Sequence, residues 1–477
     1  MKWLWKYGLP AVMLLFIIPA AFSQDKEAEE KQFEDGAILK SSFVTIREIR
    51  LSGNRITRKY IVLREVPLKQ GEKYALADIQ GNLQLARQNL MNTTLFVDVS
   101  VDFTNWFNDS IDLVIDVKER WYYFPVPYFK PVDRNWNVWI NQYNVSLDRV
   151  NYGLKFIGNN VTGRNDKMNL YLINGYTRQL SLNYTRPYVD MELKHGYIVD
   201  VSYSSNREVN YNTIQNQQAF FKNEKSFVRE RLAIGGGYTY RVGSIARHTL
   251  RLGYVSESVA DTVALINPKY FGDGKRKQKF PEFKYTYEYF KVDYIPYPLK
   301  GLKWDFSFFK RGFSGNIDLW QLSGSISKYW DVTPKMFLTL SGEASIKFPF
   351  DQPFYNQSYL GYGDSYLRGL EYYVIDGVAG ATVKGTFRRE LASFKWKTGL
   401  KSRTYGRIPF RIYAKAYADA GYVYNKNNRP NNSLTNKFLY TGGVGLDIIT
   451  IYDFVLRLEY SFNQLGERAL YYHSKDK

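Results

Sequence analysis

Apolar and polar residues alternate in one short segment after another between residue 120 and the end of the chain. Every second side chain is aliphatic or aromatic, and those between are mostly polar or charged, as in residues 180–184, 250–254, 283–289, 302–308 and 454–462. Successive side chains of a β-strand point to opposite faces. The pattern therefore predicts strands with one apolar and one polar face.

The spacing of these strands distinguishes a membrane barrel from a soluble sandwich. A sandwich has turns about every 8–12 residues and buries its apolar faces against each other. Here long polar segments at 206–225 and 425–436 separate some strands, which is typical of a barrel with short turns on one side and long loops on the other. We therefore predict a transmembrane antiparallel β-barrel over residues 120–477. At roughly 20–24 residues per strand and connection it has about 16 strands, and its wide lumen would keep inward charges in water.

Residues 43–119 have a different pattern, which predicts a small α/β domain. Strands are expected at residues 44–51, 95–103 and 110–117, where apolar and polar side chains alternate. Thr57 is positioned to cap a short first helix, and Asp78 to cap a second helix with an apolar stripe. The predicted order of elements is β-α-α-β-β.

Residues 1–23 have the features of a secretory signal peptide. Lys2 and Lys6 precede an apolar segment, residues 8–18, that is too short to span a bilayer. Small residues at its end predict cleavage between Ser23 and Gln24, and an uncleaved anchor is the alternative. Residues 24–42 are acidic and polar, which predicts a disordered spacer.

Composition narrows the class of protein further. Tyr, Phe and Trp number 41, 31 and 10, which is 82 of the 477 residues, and such side chains gather where a membrane meets water. The chain has no cysteine and only three histidines, scattered in sequence. We therefore expect no disulfide, no metal site and no histidine-based catalytic centre. No later apolar segment is long enough for a transmembrane helix, and no phosphate-binding loop motif occurs.

The charge of the chain bears on its partners. The formal net charge is +19, and it is +17 without Lys2 and Lys6. For an exported chain this charge favours anionic lipid or acidic partners, and nucleic acid is not expected.

Several motifs, taken in chain order, resemble the BamA/TamA superfamily of outer-membrane protein assembly and translocation factors. Leu367-Arg368-Gly369-Leu370 is similar to the family's loop motif, Val/Ile-Arg-Gly-Phe/Tyr, and departs from it at Leu370. The small domain resembles a POTRA domain. The other segments that carry the resemblance are residues 49–54 with Thr57, residues 95–99, and the barrel residues 385–391, 417–421 and 442–446.

The loop motif and one acidic residue form the main candidate site. Alternation places Asp419 on the lumen face of its strand. A loop folded inward could bring Arg368 beside it, and arginine–carboxylate pairs are bidentate and directional; Gly369 would permit a tight turn. The resemblance implies that this contact pins the loop inside the barrel. The alternative is a solvated arginine on an outer loop.

The two ends of the barrel sequence predict a weak seam. Two prolines lie in the expected first strand, and proline donates no ladder hydrogen bond; the expected last strand, residues 468–473, is short. The resemblance implies a lateral gate, where the edge of the first strand pairs with client strands. A rigid linker after the POTRA domain is an equal alternative. The seam residues are Tyr123, Pro125, Pro127, Arg468, Leu470 and Tyr472.

The resemblance implies a protein, not an enzyme, that inserts β-barrel proteins into the bacterial outer membrane or translocates proteins across it. Its expected partners are unfolded outer-membrane proteins, accessory periplasmic lipoproteins, and outer-membrane lipid and lipopolysaccharide. No cofactor is expected. Room for a single POTRA domain favours a specialised paralogue over a central insertase. Two other classes stay open: a gated channel or porin for solutes or secreted protein, and a barrel enzyme resembling outer-membrane phospholipases.

Overall fold

The computed structural model describes residues 43–131, 146–190, 192–313, 317–362, 365–399, 406–428 and 432–475. Two sheets dominate these residues, one of four strands and one of sixteen. The signal peptide, its cleavage position at Ser23 and Gln24, and the spacer at 24–42 lie outside the described residues.

The four-stranded sheet forms the small N-terminal domain. Its strand order is β2-β1-β4-β3, with β1 parallel to β4, and both helices contribute buried aliphatic side chains to its core. The elements are β1 (Phe43–Ser52), α1 (Lys59–Leu63), β2 (Lys73–Ala75), α2 (Leu76–Asn92), β3 (Phe96–Phe107) and β4 (Ser110–Glu119).

The predicted order β-α-α-β-β lacks one element of this domain. Strand β2 has only three residues and pairs with the start of β1 at the sheet edge. So short a strand shows no alternation that a sequence pattern could reveal.

The predicted helix caps are wrong in detail. Helix α1 begins after Arg58 without a side-chain cap, and α2 begins at Leu76, so that Asp78 lies within its first turn. The hydroxyl of Thr57 instead lies 2.9 Å from the Tyr122 hydroxyl and accepts a hydrogen bond from Asn160 Nδ2, also at 2.9 Å. Thr57 therefore joins the small domain to the start of the barrel.

Asp112 anchors the polar face of the small sheet. Its carboxylate accepts hydrogen bonds from Arg47 at 2.8 and 2.6 Å, from Arg50 at 3.2 Å and from Asn105 at 2.9 Å. The hydrogen bonds from Arg47 and Asn105, with the positive charge of Arg47 and Arg50, hold the pKa of Asp112 well below its ordinary value. The carboxylate is thus ionised throughout the neutral range.

The sixteen-stranded sheet is antiparallel and runs in chain order from β5 to β24, which confirms the predicted barrel of about 16 strands. The intervening β10–β11 and β18–β19 are two short hairpins in the connecting loops. The elements are β5 (Tyr123–Pro131), β6 (Val150–Asn159), β7 (Lys167–Gly175), β8 (Thr177–Arg186), β9 (His195–Asn206), β10 (Glu208–Ile214), β11 (Gln217–Lys222), β12 (Arg229–Val242), β13 (Ala246–Val259), α3 (Asp261–Ile266), β14 (Lys277–Val292), β15 (Gly301–Arg311), β16 (Leu319–Thr333), β17 (Met336–Phe348), β18 (Ser358–Leu360), β19 (Ile375–Asp376), β20 (Ala379–Lys397), β21 (Arg407–Tyr424), β22 (Phe438–Ile449), β23 (Val455–Asn463) and β24 (Arg468–Lys475).

The apolar side chains of the barrel strands face outward. Leu180, Leu252 and Ile326 are 54%, 60% and 54% exposed, as expected where lipid replaces water. Among the described helices, none combines the length and apolar character needed to cross a bilayer.

The long loops fold over the barrel end far from the small domain. The predicted polar loop at 206–225 contains the β10–β11 hairpin, whose tip residue Asn216 accepts a hydrogen bond from Val374 N–H at 2.8 Å. The side chain of Asn216 donates to Ser433 at 3.1 Å and accepts from Leu434 N–H at 3.1 Å. Three separate loops are therefore joined into one cover.

Candidate functional site

The loop between β17 and β20 folds back into the barrel and carries Arg368 to the wall. Arg368 Nε donates to Asp419 Oδ2 at 2.8 Å, and Nη2 donates to Oδ1, so that the pair is bidentate. The Arg368 backbone N–H donates to the same carboxylate at 3.2 Å. The Asp419 side chain is fully buried and that of Arg368 is nearly so. The structure thus brings the two predicted residues together, and the role of their contact stays a prediction.

Further wall residues fix the guanidinium in place. Nη1 donates to the Thr386 hydroxyl at 3.0 Å, and Nη2 donates to the Gly385 carbonyl at 3.3 Å. The guanidinium carbon lies 4.0 Å from the ring centre of Tyr417, a cation–π contact. The alternative of a solvated arginine on an outer loop is therefore wrong.

The rest of the loop motif packs against the same wall. Gly369 has φ +93°, and a Cβ atom there would lie 3.0 Å from the Cβ of Ser461; both facts favour glycine. Leu367 and Leu370 are buried in a cluster with Val423 and other aliphatic residues. Leucine at position 370 therefore fills an apolar site, although the resembled motif has an aromatic residue there.

The loop also contacts the last barrel strand. The ring of Tyr366 stacks on His473 with 5.2 Å between ring centres, and its hydroxyl lies 3.4 Å from Nδ1 of that histidine. His473 Nε2 lies 3.3 Å from Glu371 Oε1 in the loop and 3.5 Å from Glu459 Oε2 in β23. The loop is thus linked to the two strands at one edge of the sheet.

A buried charge network lies on the same wall as Asp419. Lys415 donates to Asp447 and, at 2.6 Å, to Glu459, and all three side chains are almost fully buried. Tyr297, in the turn between β14 and β15, donates to Asp447 at 2.7 Å. The expectation of inward charges in water is wrong at this wall, because a turn and a loop fill the lumen and the charges pair with one another.

The first and last strands are the two ends of the sixteen-stranded sheet, and no ladder joins them in the described part of the chain. Immediately before β5, the Tyr122 carbonyl accepts a hydrogen bond from Asn159 N–H, at the end of β6, at 2.7 Å. Backbone groups alternate in direction along a strand, so odd-numbered residues of β5 turn their N–H and C=O groups to the open edge. Three of these five positions are proline, namely Pro125, Pro127 and Pro131. Most of the backbone N–H donors that a strand would present at this edge are therefore absent.

The edge of β24 is different. Asn463 N–H donates to the Glu467 carbonyl at 3.2 Å across the β23–β24 turn, so odd-numbered residues of β24 face β23. The even-numbered residues, among them Arg468, Leu470 and Tyr472, turn their backbone groups to the open edge, and none is proline. Leu470 and Tyr472 are 69% and 62% exposed on the outer face. The seam thus has one edge poor in donors and one with a full set.

The small domain is fixed to the near end of the barrel by polar contacts. Glu65, which follows α1, receives hydrogen bonds from Arg241 of β12 at 2.8 and 3.0 Å, and both side chains are largely buried. Gln88 and Asn92 of α2 bond to the backbone of Val292 and Ile295 in and after β14. The turn that contains Tyr297 is therefore held by α2 on one side and by the lumen wall on the other.

Sequence reasoning identified Arg368, Gly369 and Asp419 and missed other residues of the site. Glu371, Glu459 and His473 were not assigned, although His473 was one of only three histidines. A histidine on the lumen face of the last strand is the signal that could have marked this group.

The side chains of the three histidines lie beside tyrosine and glutamate residues. His195 Nδ1 pairs with the Tyr238 hydroxyl and His248 Nδ1 lies 2.8 Å from that of Tyr285. His473 contacts a tyrosine and two glutamates. Within the described residues, side-chain hydrogen bonds and ion pairs join these histidines to tyrosine and glutamate.

The architecture and the inward loop define the class: an outer-membrane β-barrel with a periplasmic POTRA domain. Residues 44–120 match the family described as "Surface antigen variable number repeat", a POTRA family. Residues 160–465, well over half of the chain, match the Omp85 superfamily domain. The chain therefore belongs to the Omp85 superfamily, which includes the BamA/TamA-like proteins, and lies in the bacterial outer membrane with its POTRA domain in the periplasm. Such proteins insert proteins into that membrane or translocate them across it.

Two solved structures resemble this chain over most of its length. CdiB from Escherichia coli is 13% identical, with a TM-score of 0.52, and the match covers 90% of this chain and 75% of that one. BamA from Haemophilus ducreyi lacking POTRA domains 1–3 is 15% identical, with a TM-score of 0.49, and the match covers 91% and 84%. At 13% identity the likeness to CdiB concerns the fold alone. No curated protein matches the sequence.

Proposed function

We propose that this protein inserts β-barrel proteins into the outer membrane at its seam, without catalysis and without a cofactor. The observation that carries the proposal is the open edge of β24 beside a β5 edge depleted of donors. An unpaired strand edge is a template for an incoming strand.

Client pairing at β24 accounts for the difference between the two edges. A client strand on β24 meets an N–H and a C=O at every second residue, whereas one on β5 meets proline at three of five positions. The edge of the first strand, assigned to this role from the sequence, is thus the weaker template. We assign client pairing to β24, and β5 becomes the edge that separates easily.

The filled lumen favours insertion at the seam over passage of solutes through a channel. The loop held at Asp419, the network around Lys415 and the turn carrying Tyr297 occupy the interior next to β21–β23. Polar side chains that are buried and paired leave no wide aqueous path at this wall.

The POTRA domain supplies the docking surface for clients and accessory lipoproteins in this proposal. Its β3 strand lies at the open edge of the small sheet. Near the end of β3, Phe103, Trp106 and Phe107 are exposed. An exposed strand edge with neighbouring aromatic side chains suits capture of an extended segment by strand addition.

The test is client folding in liposomes made from outer-membrane lipids. Purified protein is reconstituted, an unfolded barrel protein is added, and folding is followed by gel mobility without heating, against empty liposomes. We expect faster folding with the protein present. Replacing Leu470 by proline removes one backbone donor from the open edge of β24 and should slow client folding. Val126→Pro is the control for general damage to a terminal strand, because residue 126 turns its backbone groups toward β6 and not toward the open edge. Equal rates with and without the protein would contradict the proposal.

A further inference from the structure

Two glutamates and a histidine from three separate elements converge inside the barrel. Glu371 comes from the lumen loop, Glu459 from β23 and His473 from β24. One ligand atom from each lies within 4.8 Å of the other two. From this geometry we infer a binding site for a zinc-class divalent cation, although the scattered histidines of the sequence gave no expectation of a metal.

The distances from the histidine nitrogen to the two carboxylate oxygens suit coordination. Zinc binds carboxylate oxygen and imidazole nitrogen at about 2.0–2.2 Å, which separates tetrahedral ligand atoms by ~3.3–3.6 Å. His473 Nε2 lies 3.3 Å from Glu371 Oε1 and 3.5 Å from Glu459 Oε2. These three atoms provide the three protein ligands, and water completes the tetrahedron.

Each ligand is already held by its other polar atom. Glu371 Oε2 accepts from Gly369 N–H at 2.7 Å, and Glu459 Oε1 accepts from Lys415 at 2.6 Å. The Tyr366 hydroxyl lies 3.4 Å from His473 Nδ1 and can accept its proton, which leaves Nε2 as the metal-binding nitrogen. The site therefore has the outer shell that orients metal ligands.

An independent observation points to a ligand at this position. Glu459 is 2% exposed, and its Oε2 has no hydrogen-bond partner in the described structure. A carboxylate oxygen that is buried without a hydrogen-bond partner lowers the stability of the folded protein. The atom faces His473 Nε2, and a cation between the two would satisfy it.

A bound cation would join the lumen loop to the last two strands. This consequence for the seam rests on the proposed function, whereas cation binding itself does not. Binding is measured on the protein without a client, so its failure would leave the insertion proposal standing.

The experiment is titration of the full protein in detergent micelles, purified without a histidine tag. Cobalt(II) serves as the optical probe, and zinc is then added to displace it. We expect one cobalt per chain with the visible absorption of a tetrahedral site, and weaker binding by about 100-fold or more in His473→Gln and Glu459→Gln. Tyr366→Phe should weaken binding about tenfold.

The matched control is His248→Gln, which removes another strand histidine and should bind cobalt as the wild type does. Glu371→Gln changes only the loop, so it tests the site even if the strand variants fail to fold. Retained binding in Glu371→Gln and His473→Gln, absence of stoichiometric binding by the wild type, or preference for calcium would each overturn the inference.

Discussion

At the scale of single residues, the Arg368–Asp419 pair is a buried ion pair completed by neutral partners. Removing one member of such a pair leaves an uncompensated charge, which typically costs about 3–5 kcal/mol. Here the guanidinium also bonds to Thr386 and Gly385 and lies over Tyr417. Much of the loop's attachment to the wall therefore depends on one side chain.

We expect Arg368→Ala to free the loop from the wall, raise ion conductance in planar bilayers and lower client folding in liposomes. Asp419→Ala should have a similar effect, because each change removes the same contact. The double variant should be no worse than either single variant if the residues are directly coupled. Wild-type conductance and activity in both single variants would disprove the pinning role.

A second residue-scale prediction concerns Asp112 in the POTRA domain. Its folded-state pKa lies below the ordinary value, so its ionised form adds stability above the unfolded pKa of about 3.9, and this stability is lost as pH falls through the folded pKa. Asp112→Asn should therefore lower the thermal stability of the domain at neutral pH. Followed by circular dichroism, the difference from wild type should shrink below about pH 4. A constant difference across pH would contradict the assignment.

The sequence predicted some of these contacts for an identifiable reason. Arg368 and Asp419 lie in motifs, and alternation fixed the face of Asp419. Alternation could not predict that Glu371, Glu459 and His473 meet, because it gives the face of a strand residue and not the path of a loop. That path depends on packing of Leu367 and Leu370 against distant strands.

At the scale of elements, pairing of the first strand at the seam depends on which side of β5 its prolines face. The same residues shifted by one position would have broken the β5–β6 ladder. The sequence shows where the prolines are but not which neighbour their backbone groups face, because that depends on the register between β5 and β6. Register is set by the whole barrel and is therefore not local information.

Restoring donors to β5 should close the seam more firmly. Pro125→Val with Pro127→Val adds two N–H groups at the open edge, and a hydrogen bond is worth about 0.5–1.5 kcal/mol net. We expect a higher temperature for loss of the fast-migrating folded form on gels, and slower client folding. Pro281→Val, in the interior strand β14, is the matched control. An unchanged melting temperature in the double variant would show that β5 does not pair with β24.

At the scale of the whole molecule, the POTRA domain and the barrel interior are connected through one turn. Helix α2 bonds to the backbone around Val292 and Ile295, and Tyr297 of the same turn bonds to Asp447 in the lumen. Domain order was predictable because period-two patterns are local, and the strand number followed from an assumed length of roughly 20–24 residues per strand and connection. The connection through the Tyr297 turn could not be predicted, because a few long-range hydrogen bonds produce no periodic pattern in a sequence.

We expect Glu65→Gln to loosen the POTRA domain from the barrel, because it weakens the buried pair with Arg241. Hydrogen exchange should become faster in α1 and in the periplasmic turns, while the barrel strands stay protected. Glu72→Gln, which removes an exposed ion pair with Lys69, should leave exchange at the interface unchanged. Equal exchange in wild type and Glu65→Gln would show that the pair does not hold the domain.

The three prolines of β5 also bear on turnover. An insertase that binds a finished barrel along both edges would be trapped as a stable hybrid with its product. With donors missing at three of the five open-edge positions of β5, the product's far edge finds a poorer partner in β5 than in its own opposite strand. In the proposed mechanism, closure of the product upon itself is then favoured, and the three prolines would accelerate product release.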